Sequence, residues 1–199
     1  MSKNRLEAFS DGVIAIAITL LVIEIRPPVL AEGDHLAPAL LAQWPAYVAY
    51  LVSFLTIGVI WLNHHRVFQQ VVRVDGPLLV LNLVLLLWTA LIPFPTAVVA
   101  DFLGEGGEAA RTAVALYGGV FVLMGLSFGG LFVWVTHDDR LVGRLPPPQV
   151  VRAARLRFTL GLAVYLLAFA LAWVWPPLAL GLHAAMALYY AFDQASVAA

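Results

Sequence analysis

Long apolar runs recur along almost the whole chain, separated by short polar breaks that carry proline or glycine. A helix that crosses a bilayer needs about 20 mostly apolar residues. The pattern predicts six of them: Arg5 to Ile25, Pro38 to Asn63, Pro77 to Ala100, Glu108 to Thr136, Val150 to Val174, and a last one from after Pro176-Pro177 to Phe192. Several open on proline, whose missing N–H is harmless in a first turn. Pro93 and Pro95 fall late in the third run and predict a kink there. The short alternating segments of a membrane barrel are missing. The expectation is an all-α, polytopic membrane protein with six transmembrane helices, forming a single domain over residues 1–199.

Composition agrees with this and narrows it. Hydrophobic residues make up 62% of the chain and the mean hydropathy is +0.92. Charged residues make up 12%, about half of what soluble domains carry. A net charge of −1 gives no reason to expect a nucleic-acid partner. With no cysteine, thiol chemistry, iron–sulfur clusters and disulfides are excluded. The first residues do not look like a cleavable leader, because Glu7 and Asp11 interrupt the run and no convincing cleavage site follows.

Charge also orients the spans. Lys3, Arg5, Arg66, Arg73, Arg140, Arg144, Arg152, Arg155 and Arg157 fall on one side, and only Arg26 and Arg111 on the other. The positive-inside rule then puts both termini in the cytoplasm of a multi-pass cell-membrane protein. The far side carries Glu32, Asp34, Asp101, Glu105 and Glu108. The loop holding Arg140 and Arg144 is stiffened by Pro146-Pro147-Pro148, and its arginines suit membrane lipid with anionic headgroups.

The first span carries the polar residues most in need of explanation. At 3.6 residues per turn, Ile16, Leu20 and Ile23 share one face, with Thr19 about 60° to its side. Asp11 lies about 140° from Ile16 and Ser10 about 120° the other way, so both should face other helices of the same chain. The aliphatic stripe could then meet lipid, a neighbouring subunit or a pore axis. Such stripes are common in membrane helices. Asp11 is harder to dismiss, since a carboxylate in a span is costly without a partner. Trp61, Asn63 and His64 are expected at the same membrane level, and their N–H groups suit that carboxylate. Their bland reading is an interfacial aromatic belt. Asn82 and Thr89, seven residues apart, are expected to bond to a neighbouring span.

Metal and cofactor chemistry find little support. His64 and His65 are about 100° apart on a helix and do not converge on one ion. A haem held by His64 or His183 stays open as a minor reading, as does a proton-coupled carrier using Asp11 and His64 as a relay. Gly125 and Gly129 form a G-x-x-x-G in the fourth span that allows close helix approach. No carbonyl-filter sequence, voltage-sensing span or nucleotide motif is present.

Arg5-x-x-x-Phe9-Ser10-Asp11, running into Gly12-Val13-Ile14-Ala15-Ile16, resembles the signature first helix of the transmembrane protein 175 family. Trp61-x-Asn63-His64-His65-Arg66-Val67-Phe68 resembles that family's second-helix signature. The resemblance implies a potassium-permeable cation channel that is not an enzyme and needs no cofactor. It implies a homotetramer of single-repeat chains with the first helix of each lining a central pore. Ile16, Leu20 and Ile23 would be its hydrophobic constriction, with Thr19 beside it. Arg5, Phe9, Ser10 and Asp11 would orient that helix through Trp61, Asn63 and His64.

Overall fold

Glycine and proline decide where the helices begin and stop. The computed structural model describes residues 2–33, 35–137, 139–143 and 147–197, with side chains through Phe192. Asp34, Arg144 and Pro146, used above for charge and loop stiffness, lie outside the described residues. The helices are α1 (Lys3–Leu20), α2 (Leu36–Ala42), α3 (Trp44–Gln70), α4 (Gly76–Leu91), α5 (Pro93–Phe102), α6 (Gly107–Val135), α7 (Pro148–Ala172) and α8 (Pro176–Val197). Single 3-10 turns, Leu21–Glu24 and Leu103–Glu105, extend α1 and α5. Gly106 and Gly107 adopt φ of 70° and 59° at the start of α6, a region that favours glycine.

Among the described residues, five helical segments are long and apolar enough to cross a membrane: Lys3–Glu24, Trp44–Gln70, Gly76–Glu105, Gly107–Val135 and Pro148–Ala172. The second and first predicted helices need correction, and the kink expected in the third is present. The second run is not one helix from Pro38 to Asn63. It breaks at Gln43, where Pro45 in the first turn of α3 has no N–H to bond back into α2. It also continues to Gln70, so the motif from Trp61 to Phe68 is helical throughout. The third run divides at Ile92, before Pro93, where the kink was expected. The first helix stays α-helical only to Leu20, so Ile23 sits in the tighter 3-10 turn, not on the α-helical wheel.

α6 is the central post, packed against α4, α5, α7 and α8. Its buried face carries Tyr117, Phe121 and Leu131, all fully covered. α1 packs chiefly on α3 and α4. The Lys3 ammonium reaches the Gln69 carbonyl at 3.5 Å, and the Gln43 amide donates to the Arg26 carbonyl at 3.0 Å. The start of α1 therefore lies beside the end of α3, and the end of α1 beside its start. The connections after α3 and after α6 meet at a short antiparallel bridge of Val71 with Val142, where Val72 N–H donates to the Leu141 carbonyl at 2.7 Å. The basic connections are thus gathered at the end of the bundle where the chain begins.

Candidate functional site

α1 has two faces of different chemistry. Leu6, Ser10, Ile14, Ala17 and Leu21 recur every three or four residues and are buried against α3 and α4. Ile16, Leu20 and Ile23 are 61%, 41% and 66% exposed, so the aliphatic stripe of the first helix contacts little of its own chain. Thr19 is exposed as well. Its hydroxyl is spent on the helix itself, donating to the Ala15 carbonyl at 3.0 Å and the Ile16 carbonyl at 2.9 Å.

On the buried face, three side chains from three helices form one directional chain. The Ser10 hydroxyl donates to the Leu6 carbonyl at 2.9 Å. The Asn82 amide of α4 donates to Ser10 Oγ at 3.0 Å. Asn82 Oδ1 lies 2.8 Å from His64 Nε2 of α3. A carbonyl oxygen only accepts, so His64 carries its proton on Nε2. Ser10, His64 and Asn82 are all buried, and their hydrogen bonds compensate the cost of placing polar groups in the interior. The His64 ring stacks on Phe68 at 4.1 Å, which holds its plane.

Asp11 is placed differently. It lies on the surface of the single chain and accepts from Trp61 Nε1 at 3.0 Å. Asp11 faces another helix, as expected, but at the surface and not inside the bundle, where it clips the edge of α1 to α3. The single network expected for Ser10, Asp11, Trp61, Asn63 and His64 is two separate contacts: His64 is buried and meets Asn82, whereas Trp61, about 60° around α3, lies at the exposed edge and meets Asp11. The amide that completes the buried network is Asn82 of α4. Asn63 is half-buried and lines crevices facing α6, α7 and α8. The sequence marked Asn82, like Thr89, as expected to bond to a neighbouring span, which Asn82 does, but not which neighbour it meets. Arg5 and Phe9 are exposed, Phe9 by 51%. His65 is exposed and contacts Gln69 Nε2 at 2.9 Å, away from His64.

The residues of the two minor readings are not brought together. Asp11 binds Trp61 and His64 binds Asn82, so no direct Asp11–His64 relay forms. His183 is buried among the rings of Tyr117, Phe121 and Tyr165, with centroids 5.2, 5.0 and 5.5 Å away. Beside it, Tyr117 Oη lies 2.9 Å from Ser53 Oγ, which lies 2.8 Å from Thr96 Oγ1. Thr96 already donates to the Ile92 carbonyl at 2.8 Å, so Ser53 donates to Thr96 and accepts from Tyr117. That hydroxyl chain ties α3, α5 and α6 together.

The chain is similar to known proteins in sequence and in fold. Residues 5–93 match the family model described as "Endosomal/lysosomal potassium channel TMEM175". A protein of Streptomyces collinus called a potassium channel is 47% identical over 195 residues, covering 98% of this chain and 94% of that protein. A crystal structure of a lysosomal potassium-selective channel TMEM175 homolog from Chamaesiphon minutus superposes with a TM-score of 0.86 at 38% identity, covering 96% of this chain and 97% of that one. The Gallus gallus protein called endosomal/lysosomal proton channel TMEM175 is 37% identical over 110 residues, 51% of this chain and 22% of its own length. With identity of this order across nearly its full length, the chain belongs to the TMEM175 family.

Proposed function

We propose that this chain is a potassium-permeable cation channel of the cell membrane, assembled as a homotetramer around a pore lined by the exposed face of α1. The observation that carries the reading is that exposed face. α1 is anchored along one side by Leu6, Ser10 and Ile14 while Ile16, Leu20 and Ile23 stay uncovered. Relatives named as potassium channels, similar over nearly the whole chain, support potassium conduction, the task this reading gives that face. α8 serves as a sixth span. Both termini and the basic connections lie in the cytoplasm, as the charge asymmetry favours.

A ring of four aliphatic side chains offers a cation no oxygen. Narrow, it excludes ions by dewetting. Slightly wider, it passes ions that have shed or distorted part of their water. Potassium dehydrates more cheaply than sodium, so an apolar collar favours it, with less discrimination than a ring of carbonyls. Ile16 forms the innermost collar, Leu20 and Ile23 continue it outward, and Thr19 sits beside it. Ser10, Asn82 and His64 hold the helix so that the collar keeps its diameter, and the Trp61–Asp11 contact fixes its rotation. Arg5 and Phe9 belong to the same mounting at the cytoplasmic end.

Potassium flux into liposomes holding the purified protein tests the reading. Channel-like potassium flux without a proton gradient, with sodium slower, is expected. Flux that requires a proton gradient would replace the channel with a coupled carrier.

A further inference from the structure

At the basic end of the bundle, α3, α6, α7 and α8 enclose a crevice of about 370 Å³. Arg66 and Arg157 line it, together with Asn63, Gln70 and Tyr190. Its walls are apolar, formed by Phe132, Val150 and Phe158. Asn63, Phe158 and Tyr190 are shared with a second, narrower slot of about 60 Å³. That slot continues between α3, α6 and α7 past Thr56, Val59, Met124 and Leu162. A cationic mouth at the basic end of the bundle thus adjoins an apolar slot between the helices.

We propose that this crevice binds one anionic glycerophospholipid, with the phosphodiester between Arg66 and Arg157 and an acyl chain in the slot beyond Phe158. The site rests on the membrane-spanning reading of the chain. Two guanidinium groups match the geometry of phosphate oxygens. The neutral donors nearby, the Asn63 and Gln70 amides, suit the headgroup's ester and glycerol oxygens. Basic pockets between spans at the cytoplasmic level attract anionic lipid heads. A free phosphate would satisfy the arginines but leave the apolar slot without an occupant, whereas a lipid fills both. Gly161 suits this arrangement, since a Cβ there would run into the Tyr190 hydroxyl, which instead donates to the Arg157 carbonyl at 3.1 Å and holds α8 against α7 at the rim.

Native mass spectrometry of the purified full chain in detergent tests the site, with phosphatidylglycerol and phosphatidylcholine as probes. The wild type should retain phosphatidylglycerol in preference to phosphatidylcholine. Arg66→Gln with Arg157→Gln should weaken the phosphatidylglycerol adduct by about 25-fold, taking about fivefold for each arginine. Ala153→Trp, which fills the crevice and keeps both arginines, should also lose the adduct and decides alone if the double variant does not fold. Arg152→Gln, on an exposed arginine outside the crevice, should retain it. Equal binding of the two lipids, or an undiminished adduct in Ala153→Trp, overturns the proposal. So does displacement of phosphatidylglycerol by inorganic phosphate, which would assign a soluble anion. Dissociation of the double variant into protomers that still bind phosphatidylglycerol would make the crevice a contact between copies, and also overturns it. Potassium flux is not the readout, so a chain that binds this lipid but does not conduct refutes the channel and leaves the site. A conducting chain without lipid preference does the reverse.

Discussion

Ile14 and Ile16 are two residues apart on one helix and chemically identical, yet they belong to different parts of the molecule. Ile14 is 3% exposed, wedged among α3 and α4; Ile16 is 61% exposed. The same division runs along α1. Leu6, Ser10, Ala17 and Leu21 go with Ile14, and Leu20 and Ile23 with Ile16. The buried face is mixed, with a hydroxyl set into its hydrocarbon, whereas the exposed stripe is purely aliphatic. In water that would be inverted. In a membrane the polar group belongs where partners are fixed, and the hydrocarbon face is free for lipid or for a dry pore.

Substituting the two isoleucines should separate the faces most sharply. Ile14→Ala should lower stability by about 1–3 kcal/mol, below the ~2–5 of water-soluble cores because separated helices meet lipid tails instead of water. Ile16→Ala should change it by less than about 0.5 kcal/mol. Thermal melting in detergent reads both, and an equal loss would erase the distinction. Next is Asn82→Leu, which breaks two bonds at once and strands the buried His64 N–H. A loss of about 1–2 kcal/mol is expected, each interhelical bond contributing roughly 0.6. Potassium preference in the surviving folded channels should be retained, and a changed preference would place the network in the conduction path. Trp61→Phe removes only the exposed bond to Asp11, and should cost about 0.5 kcal/mol in the same melting assay. Thr19→Val should be smaller still, within about 0.5 kcal/mol, because that hydroxyl bonds only to its own helix.

Two buried histidines sharpen the same point. His64 has a fixed partner in Asn82. Neither ring nitrogen of His183 has a hydrogen-bond partner among the described residues. Replacing His183 with Leu should therefore not lower the melting temperature, while His64→Leu should. A drop for His183→Leu would mean that ring packing on Tyr117, Phe121 and Tyr165 outweighs the two unpaired nitrogens.

The helical wheel was enough to separate Ser10 from Ile16, because 3.6 residues per turn depends on nothing outside the helix. It could not say which neighbour Ser10 meets. That depends on how α1 lies against α3 and α4, and so Asn63, inside a motif, was favoured over Asn82, outside one. For Asp11 the wheel separated it from the stripe but not surface from interior, since the angle to Ile16 leaves a residue at the edge of the packed face. The break at Ile92 was legible from Pro93. The one at Gln43 was missed because the apolar run continues across it, and a hydropathy count does not register Pro45's lost N–H. The crevice behind Arg66 and Arg157 had no sequence signature beyond two basic residues 91 positions apart.

The claim that matters most is that the plain aliphatic stripe of α1 selects the ion. Under bi-ionic conditions, with potassium on one side of a planar bilayer and sodium on the other, the reversal potential of Ile16→Asn channels measures it directly. An amide in the collar gives sodium the oxygen it lacked, so the account predicts a reversal potential shifted severalfold in permeability ratio toward sodium. A reversal potential identical to that of the wild type, in a variant that still conducts, would contradict it.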